Sequence, residues 1–254
     1  MLKKIRLNKY IANSGICSRR KADNLIKLGL ISVNGKIIKT LGYKILNKDI
    51  VKYNNRILKI LYNYIYILLN KPKNCITTIK DNNNRITIMS YLPKIYSLKY
   101  RIYPVGRLDK NTTGLLILTN DGELCNKLLH PKNRIKKTYK VILNKKINNK
   151  NIIILKKGIN FKEGKIKIKN IFIIKSKKNI LYISIFVGWN RIIHRIFKKI
   201  GYKVLYLQRI NFAGLKLNNF NIKKEGQYKI LSKNKIYNIL NIKKNEYYNN
   251  NKWT

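Results

Sequence analysis

Apolar residues recur at helical spacing in two short stretches near the start of the chain. Leu7, Tyr10 and Ile11 predict a helix over 6–14 that stops at Gly15, a residue suited to the left-handed conformation that ends helices. Ser18 is placed to cap a second helix over 19–28, with Leu25, Ile26 and Leu28 facing inward and Gly29 closing it. The pattern then turns to strands. Ile31-Ser-Val33 and Lys36-Ile-Ile38 flank Asn34-Gly35, a pair that accepts positive φ twice and so predicts a two-residue hairpin. Farther on, strands are predicted over 64–69, 115–119, 138–143, 165–174 and 180–187. Lys165-Ile-Lys-Ile-Lys alternates as a half-exposed strand should. Helices are predicted over 123–129, ended by Pro131, and over 191–200, ended by Gly201. Strands and helices intermix without a regular βαβ rhythm, which predicts an α+β fold around a mostly antiparallel sheet.

No internal repeat and no Gly/Ser linker marks a boundary, so the join is expected in the short polar stretch around Lys52 to Arg56. The expected organisation is a small module over 2–60, a larger unit over 61–240, and a polar, Asn-rich, disordered tail over 241–254.

Charge changes the picture. The 254 residues carry 57 Lys+Arg against 9 Asp+Glu, a formal net charge of +48. Hydrophobic residues make up 45%, which excludes charge-driven disorder, and the length suffices for a buried core. Such a balance points to a polyanion, nucleic acid first. Lys, Asn, Ile and Tyr share A/T-rich codons and are all heavily used, so only locally organised basic clusters count towards that partner. Cys17, Cys75 and Cys125 are odd in number and widely spaced, which argues against a disulfide framework and a zinc site and for a reducing compartment. With His130 and His194 as the only imidazoles, no metal centre is expected. The start is broken by charge within three residues and no apolar run approaches a membrane span, so a cytoplasmic protein is expected, with no membrane partner.

Three segments carry candidate chemistry. Arg19, Arg20 and Lys21 crowd the first turn of the second helix, where cations oppose the macrodipole; they are either a solvated face or a seat for an anion. The second segment runs from Tyr103 to Glu123 and holds Asp109, Asp121 and Glu123, three of the nine carboxylates. Asn120 or Asp121 can cap the following helix, whereas Asp109, between Arg107 and Lys110, has no such task. It is either a salt-bridged loop residue or a reactive carboxylate. In the third, over 188–201, Ile192, Ile193, Ile196, Phe197 and Ile200 form an apolar stripe opposite Arg191, His194, Arg195 and Lys198.

Taken as strings, these segments resemble known sequences. Arg6-Leu-Asn-Lys-Tyr-Ile-Ala-Asn-Ser-Gly15, Ser18-Arg-Arg-Lys-Ala-Asp23 and Gly29-Leu-Ile-Ser-Val-Asn-Gly35 resemble the S4-like RNA-binding domain. Gly106-Arg-Leu-Asp109, Thr112 and the run to Glu123 resemble the central motif of the ribosomal RNA pseudouridine synthases that carry such a domain. Asn70-Lys-Pro72, Lys137-Thr-Tyr139, Gly201–Leu207, Arg209 and Glu225-Gly226 match the flanking motifs in order. The resemblance covers nearly all of residues 5–232. It implies a two-part catalytic domain around a mixed, largely antiparallel sheet, no metal or organic cofactor, and a monomer acting on ribosomal RNA or a ribosomal-subunit assembly intermediate. It makes Asp109 the catalytic carboxylate, Tyr139 the aromatic residue that stacks on the base, and Arg107 a support for a nucleotide extruded from its stack. His194 stands where the family places an Arg or Lys beside the catalytic Asp, and Ile192 replaces a Gln. Arg191 and Arg195 flank that site, and Arg19, Arg20 and Lys21 fall on the S4-like surface.

The departures leave alternatives. Thr77-Thr78, Asp81, Arg85 and Thr87 look more like large-subunit enzymes (23S rRNA) than the small-subunit one (16S rRNA). A weakened enzyme that serves as an rRNA-binding or assembly factor is the rival. If His194 faces Asp109, the carboxylate is expected to raise its pKa; otherwise Arg195 supplies the cation.

Overall fold

The computed structural model describes residues 4–60, 63–98, 100–168 and 170–241. Beyond Asn241, the expected tail lies outside the described residues. The chain forms two compact units: residues up to Tyr64 with the short segment 99–101, and the remainder.

In the small unit, β1 (Ile5–Arg6) leads into α1 (Leu7–Asn13) and α2 (Arg19–Lys27). Ser18 caps α2 by accepting from the Lys21 amide at 3.1 Å. Then come β2 (Ile31–Val33), β3 (Lys36–Ile37), β4 (Lys44–Ile45), β5 (Val51–Tyr53) and β6 (Arg56–Ile57). Asn34 and Gly35 turn the β2–β3 hairpin with φ of 49° and 84°, the double positive φ that the sequence anticipates. Leu7, Ile11, Ala22, Ile26, Ile31, Ile45 and Val51 make its core. The polar stretch expected as the join is a hairpin instead: Asn54 and Asn55 turn β5 into β6 inside this unit.

The larger unit has a nine-stranded mixed sheet. Its elements in order are β7 (Tyr66–Lys71), α3 (Ile95–Leu98), β8 (Tyr103–Pro104), β9 (Thr113–Thr119), α4 (Gly122–Leu129), β10 (Lys137–Leu143) and α5 (Asn149–Lys157). There follow β11 (Ile159–Phe161), β12 (Gly164–Ile166), β13 (Ile171–Ile173), β14 (Ile180–Ile185), α6 (Ile192–Lys199), β15 (Val204–Phe212), β16 (Leu215–Lys216), β17 (Tyr228–Leu231) and α7 (Lys233–Ile239). The strand order is β13-β14-β10-β15-β9-β7-β17, with β16 on β15 and β8 on β9. All pairs are antiparallel except β15 with β9. Every residue of β7 and β9 is buried, which suits central strands covered on both faces.

Two expectations change here. The single strand expected over 165–174 is two: β12 pairs with β11 in a separate hairpin, and β13 joins the main sheet through β14. The helix α5 was not anticipated; Ile152, Ile153 and Ile154 are β-branched neighbours, and of its residues only Leu155 is buried. Among the described residues no helix is long and apolar enough to cross a membrane.

Candidate active site

Asp109 is positioned through its backbone. It lies in the loop that feeds β9, and that loop is clamped from both sides. Thr77 brackets Leu108: its Oγ1 donates to the Leu108 carbonyl at 2.7 Å and accepts from the Leu108 amide at 3.2 Å. On the far side Lys71, with 0% of its surface exposed, donates from Nζ to the carbonyls of Pro72, Lys110 and Thr112 at 2.9, 3.2 and 3.0 Å. The Thr112 amide donates to the Asp109 carbonyl at 3.0 Å and closes the turn. Burial pushes the Lys71 amine down to about 8, against the opposing fields of Cys75, Glu225 and Asp109. The Asp109 side chain itself is exposed.

The late Glu-Gly pair holds the other end of this brace. Glu225 accepts from the Lys73 amide at 2.9 Å, and the Gly226 amide donates to the Asn70 carbonyl at 2.8 Å. Asp121 has the structural task expected of it. One carboxylate oxygen accepts from the Glu123 and Leu124 amides at 3.0 Å each, and the other accepts from the Tyr66 and Tyr237 hydroxyls at 2.8 Å each.

Gly114 brings β15 against the Asp109 loop. A Cβ there would stand 2.3 Å from the Arg209 carbonyl oxygen, and φ is +103°. Only a glycine permits this approach.

Asp109, Arg107, Tyr139, Arg191 and His194 converge on one cavity of about 790 Å³. Its lining holds six Lys or Arg residues, and Asp109 is the only carboxylate in it. A second cavity, of about 740 Å³, shares Asp109, Arg191 and His194 and adds Lys73, Lys110, Lys198 and Lys203. The carboxylate thus sits where two cationic hollows meet. Such a surface tracks a phosphate backbone.

His194 lines both cavities together with Asp109, but its pKa is lowered rather than raised. Burial lowers it most and Arg191 adds to that; the Asp109 carboxylate opposes both and does not prevail. The expected upward shift is therefore corrected, because desolvation outweighs the carboxylate.

Arg195 lies elsewhere. It is absent from both cavity linings, and its guanidinium meets Glu163 in a bidentate pair at 2.7 and 2.8 Å and stacks on Phe161, 4.9 Å from the ring centre. Lys199 reinforces the same contact by donating to the Asn160 carbonyl at 2.8 Å. These bonds fasten α6 to the β11–β12 hairpin. The hairpin in turn supports Trp189, whose ring meets Phe161 edge-on and lines the larger cavity. Helical spacing alone cannot separate His194 from Arg195, since adjacent residues differ by about 100°.

Arg19, Arg20 and Lys21 stand exposed on the first turn of α2, with no acidic residue in that turn. Of the residues likened to large-subunit enzymes, Thr77 clamps the Asp109 loop. Arg85 and Asp81 close an exposed turn at 2.6 Å, and Thr87 caps a 3₁₀ turn by accepting from the Met89 amide at 3.2 Å. The roles of Lys71, Thr77, Lys137 and Arg209 were not assigned from sequence; their motif positions were the only signal.

Residues 65–210 match the model of the family described as RNA pseudouridylate synthase, and residues 5–51 match the S4 domain. A "Ribosomal large subunit pseudouridine synthase B" of Bacillus subtilis (strain 168) is 42% identical over 218 residues, 84% of this chain and 87% of that protein. A "Dual-specificity RNA pseudouridine synthase RluF" of Escherichia coli (strain K12) is 32% identical over 248 residues, 95% of this chain and 80% of that one. A solved pseudouridylate synthase superposes with a TM-score of 0.64 at 28% identity, covering 92% of this chain and 99% of the other.

Proposed function

The chain belongs to the RNA pseudouridylate synthase family and is an isomerase acting on RNA; from that premise we propose that it converts a specific uridine of ribosomal RNA to pseudouridine, with Asp109 as the catalytic carboxylate. The observation that carries the assignment is the position of Asp109. The loop that carries it is clamped by Lys71 and Thr77, and the exposed Asp109 lines two cationic cavities. The 42% identity to an enzyme named for the large subunit favours the large-subunit RNA over the small.

Uridine inside folded RNA must leave its stack to reach a carboxylate that lines a cavity. Tyr139, 8% exposed, supplies an aromatic wall for the extruded base, and the exposed Arg107 and Arg191 meet its phosphates. Asp109 then either bonds to ribose C1′ or takes the proton from C2′. In both routes the C1′–N1 bond breaks and its electron pair stays with the ring. The ring turns and C5 bonds to C1′. As it does so the Asp109–C1′ bond breaks in the first route, or C2′ takes its proton back in the second. The C5 proton then leaves and N1 takes one up. Atoms and electrons balance without an added reagent. The substrate is ribosomal RNA, free or in a partly assembled subunit, and the protein acts in the cytoplasm as a monomer.

His194 favours a second reading, an rRNA-binding assembly factor with weakened chemistry, because its imidazole loses charge where a permanent cation is usual. Mapping pseudouridine in rRNA incubated with wild type and with Asp109→Asn separates the two. One new site that appears with wild type and is absent with Asp109→Asn supports the enzyme. No new site with wild type, together with tight rRNA binding, supports the assembly factor.

A further inference from the structure

Lys137 and Arg209 stand on the inner wall of the larger cavity with Phe212 beside both, their charged ends 5.8 and 4.6 Å from its ring centre. A β-bulge creates this grouping. Tyr139 pairs with Arg209, yet Thr138 pairs with Asn211, so Ile210 is an extra residue in β15. Without it, alternation would turn Phe212 away from Arg209. With it, Lys137, Tyr139, Arg209 and Phe212 share one face.

Among the described residues the two cations have no counter-ion. Burial depresses both, Lys137 to about 8; the charged neighbour acting on Lys137 is Arg209, and the group that opposes the fall at Arg209 is the Tyr139 hydroxyl. Among the described residues no carboxylate acts on either. Asp109 acts on Lys71 and His194 instead. Arg209 is 2% exposed; its Nε donates to the Leu115 carbonyl at 2.8 Å, while its Nη2 has no hydrogen-bond partner. Adjacent desolvated cations with an unused donor are unfavourable unless a ligand completes them. The exposed rim cations suit phosphates. The buried Arg209 and the half-buried Lys137, both against the Phe212 ring, suit a planar ring with acceptor oxygens.

We propose that Lys137 and Arg209 bind the two carbonyl oxygens of the uracil ring and stabilise its negative charge while it is detached from ribose. This rests on the pseudouridine synthase reading. When the C1′–N1 bond breaks, its electron pair enters the ring and the charge spreads over O2 and O4. The ring must then present C5 where N1 stood. A half-turn about the N3–C6 axis does this, and the same half-turn exchanges O2 with O4. Two cations, one to each oxygen, therefore meet equivalent partners before and after the turn. They stabilise the anion without preferring either orientation. Donors fixed in advance at developing charge make large contributions to catalysis.

The test uses the full chain, with Lys137→Met, Lys137→Arg and two small probes. Barbiturate is a pyrimidine-ring anion with carbonyl-delocalised charge, and uracil is its neutral counterpart. Lys137→Met is expected to lower the single-turnover rate roughly 100-fold with RNA affinity changed by no more than about threefold. Lys137→Arg should restore most of that rate. Wild type should bind barbiturate about tenfold more tightly than uracil, and Lys137→Met should lose that preference. A Lys137→Met rate close to wild type, or an undiminished preference for barbiturate, overturns the proposal. If wild type forms no pseudouridine, the functional reading fails, and the two-probe binding comparison still decides whether this site takes a uracil-like anion.

Discussion

Lys71 Nζ donates to the Thr112 carbonyl at 3.0 Å, across 41 positions of sequence, and so ties the end of β7 to the loop that carries Asp109. Replacing Lys71 with Met keeps the volume but leaves the carbonyls of Pro72, Lys110 and Thr112 without this donor. The expected loss of stability is roughly 2–4 kcal/mol, with a larger fall in turnover than in RNA affinity. Denaturant melts and single-turnover rates check both.

The same residue sets a pH dependence. Lys71 holds its proton to about 8 when folded, against ~10.4 in an unfolded chain. Between those values the unfolded state binds more protons, so this residue's contribution to stability rises with pH across the window and is flat below it. Unfolding midpoints at pH 7.5 and 9.5 should show a smaller rise for Lys71→Met than for wild type.

Gly114→Ala is expected to unfold the larger unit or destabilise it by about 3 kcal/mol or more. The new methyl would meet the Arg209 carbonyl and amide at 2.3 and 2.8 Å, and backbone atoms in a sheet cannot step aside. Circular dichroism melts read this directly. A variant that melts with wild type would show that the β9–β15 approach is not rigid.

Local features were legible in the sequence and distant partnerships were not. Asn34-Gly35 fixes its hairpin, and Asp121 caps α4, through atoms within three residues of each. The alternation of Lys165 to Lys169 signals a strand, but it cannot say that β12 and β13 take different partners. The burial of Lys71 depends on carbonyls some forty positions away, and nothing in a Lys-rich chain marks one lysine as internal. Arg195 leaves the cavity because Glu163, on a separate hairpin, pairs with it. The bulge at Ile210 shifts the alternation of β15 by one, so Phe212 joins the face of Arg209 although period two assigns it to the other.

His194 predicts a pH-dependent rate where a permanently charged neighbour would give a flat one. Its folded pKa lies below the usual 6.5, so the imidazole is neutral at pH 7 and above. Protonation of His194 gives the cavity one more cation to hold RNA phosphate and the detached uracil anion, so the wild-type rate is expected to rise as pH falls through the His194 pKa. His194→Arg should be faster than wild type at pH 7.5 and flat across that interval. Arg195→Ala should leave the profile's shape unchanged, since its partner is Glu163. A profile that falls below pH 6.5 in wild type would remove His194 from the site's electrostatics.

The small unit offers a separate test, in salt rather than pH. Arg19, Arg20 and Lys21 occupy the first turn of α2, where the helix dipole disfavours them and no carboxylate in that turn compensates. Asp23, in the same helix, is engaged by Asn8, which donates to its Oδ1 at 2.9 Å, and Arg19 reaches the Asn8 Oδ1 at 3.4 Å. An RNA phosphate at this turn would satisfy both the cations and the free amides of the helix start. Each lost phosphate contact lowers the log–log salt slope of binding by roughly 0.7–0.9. Changing all three residues to Gln should therefore flatten the slope by about two to three units and weaken rRNA binding most at low salt. The isomerisation rate at saturating protein should hardly move, because no residue of this turn lines the cavity that contains Asp109. Filter-binding titrations across a salt series, run beside single-turnover rates, measure both. An unchanged slope would make the three cations ordinary solvated surface, and a lost rate at saturation would mean that this turn also orders the reacting RNA.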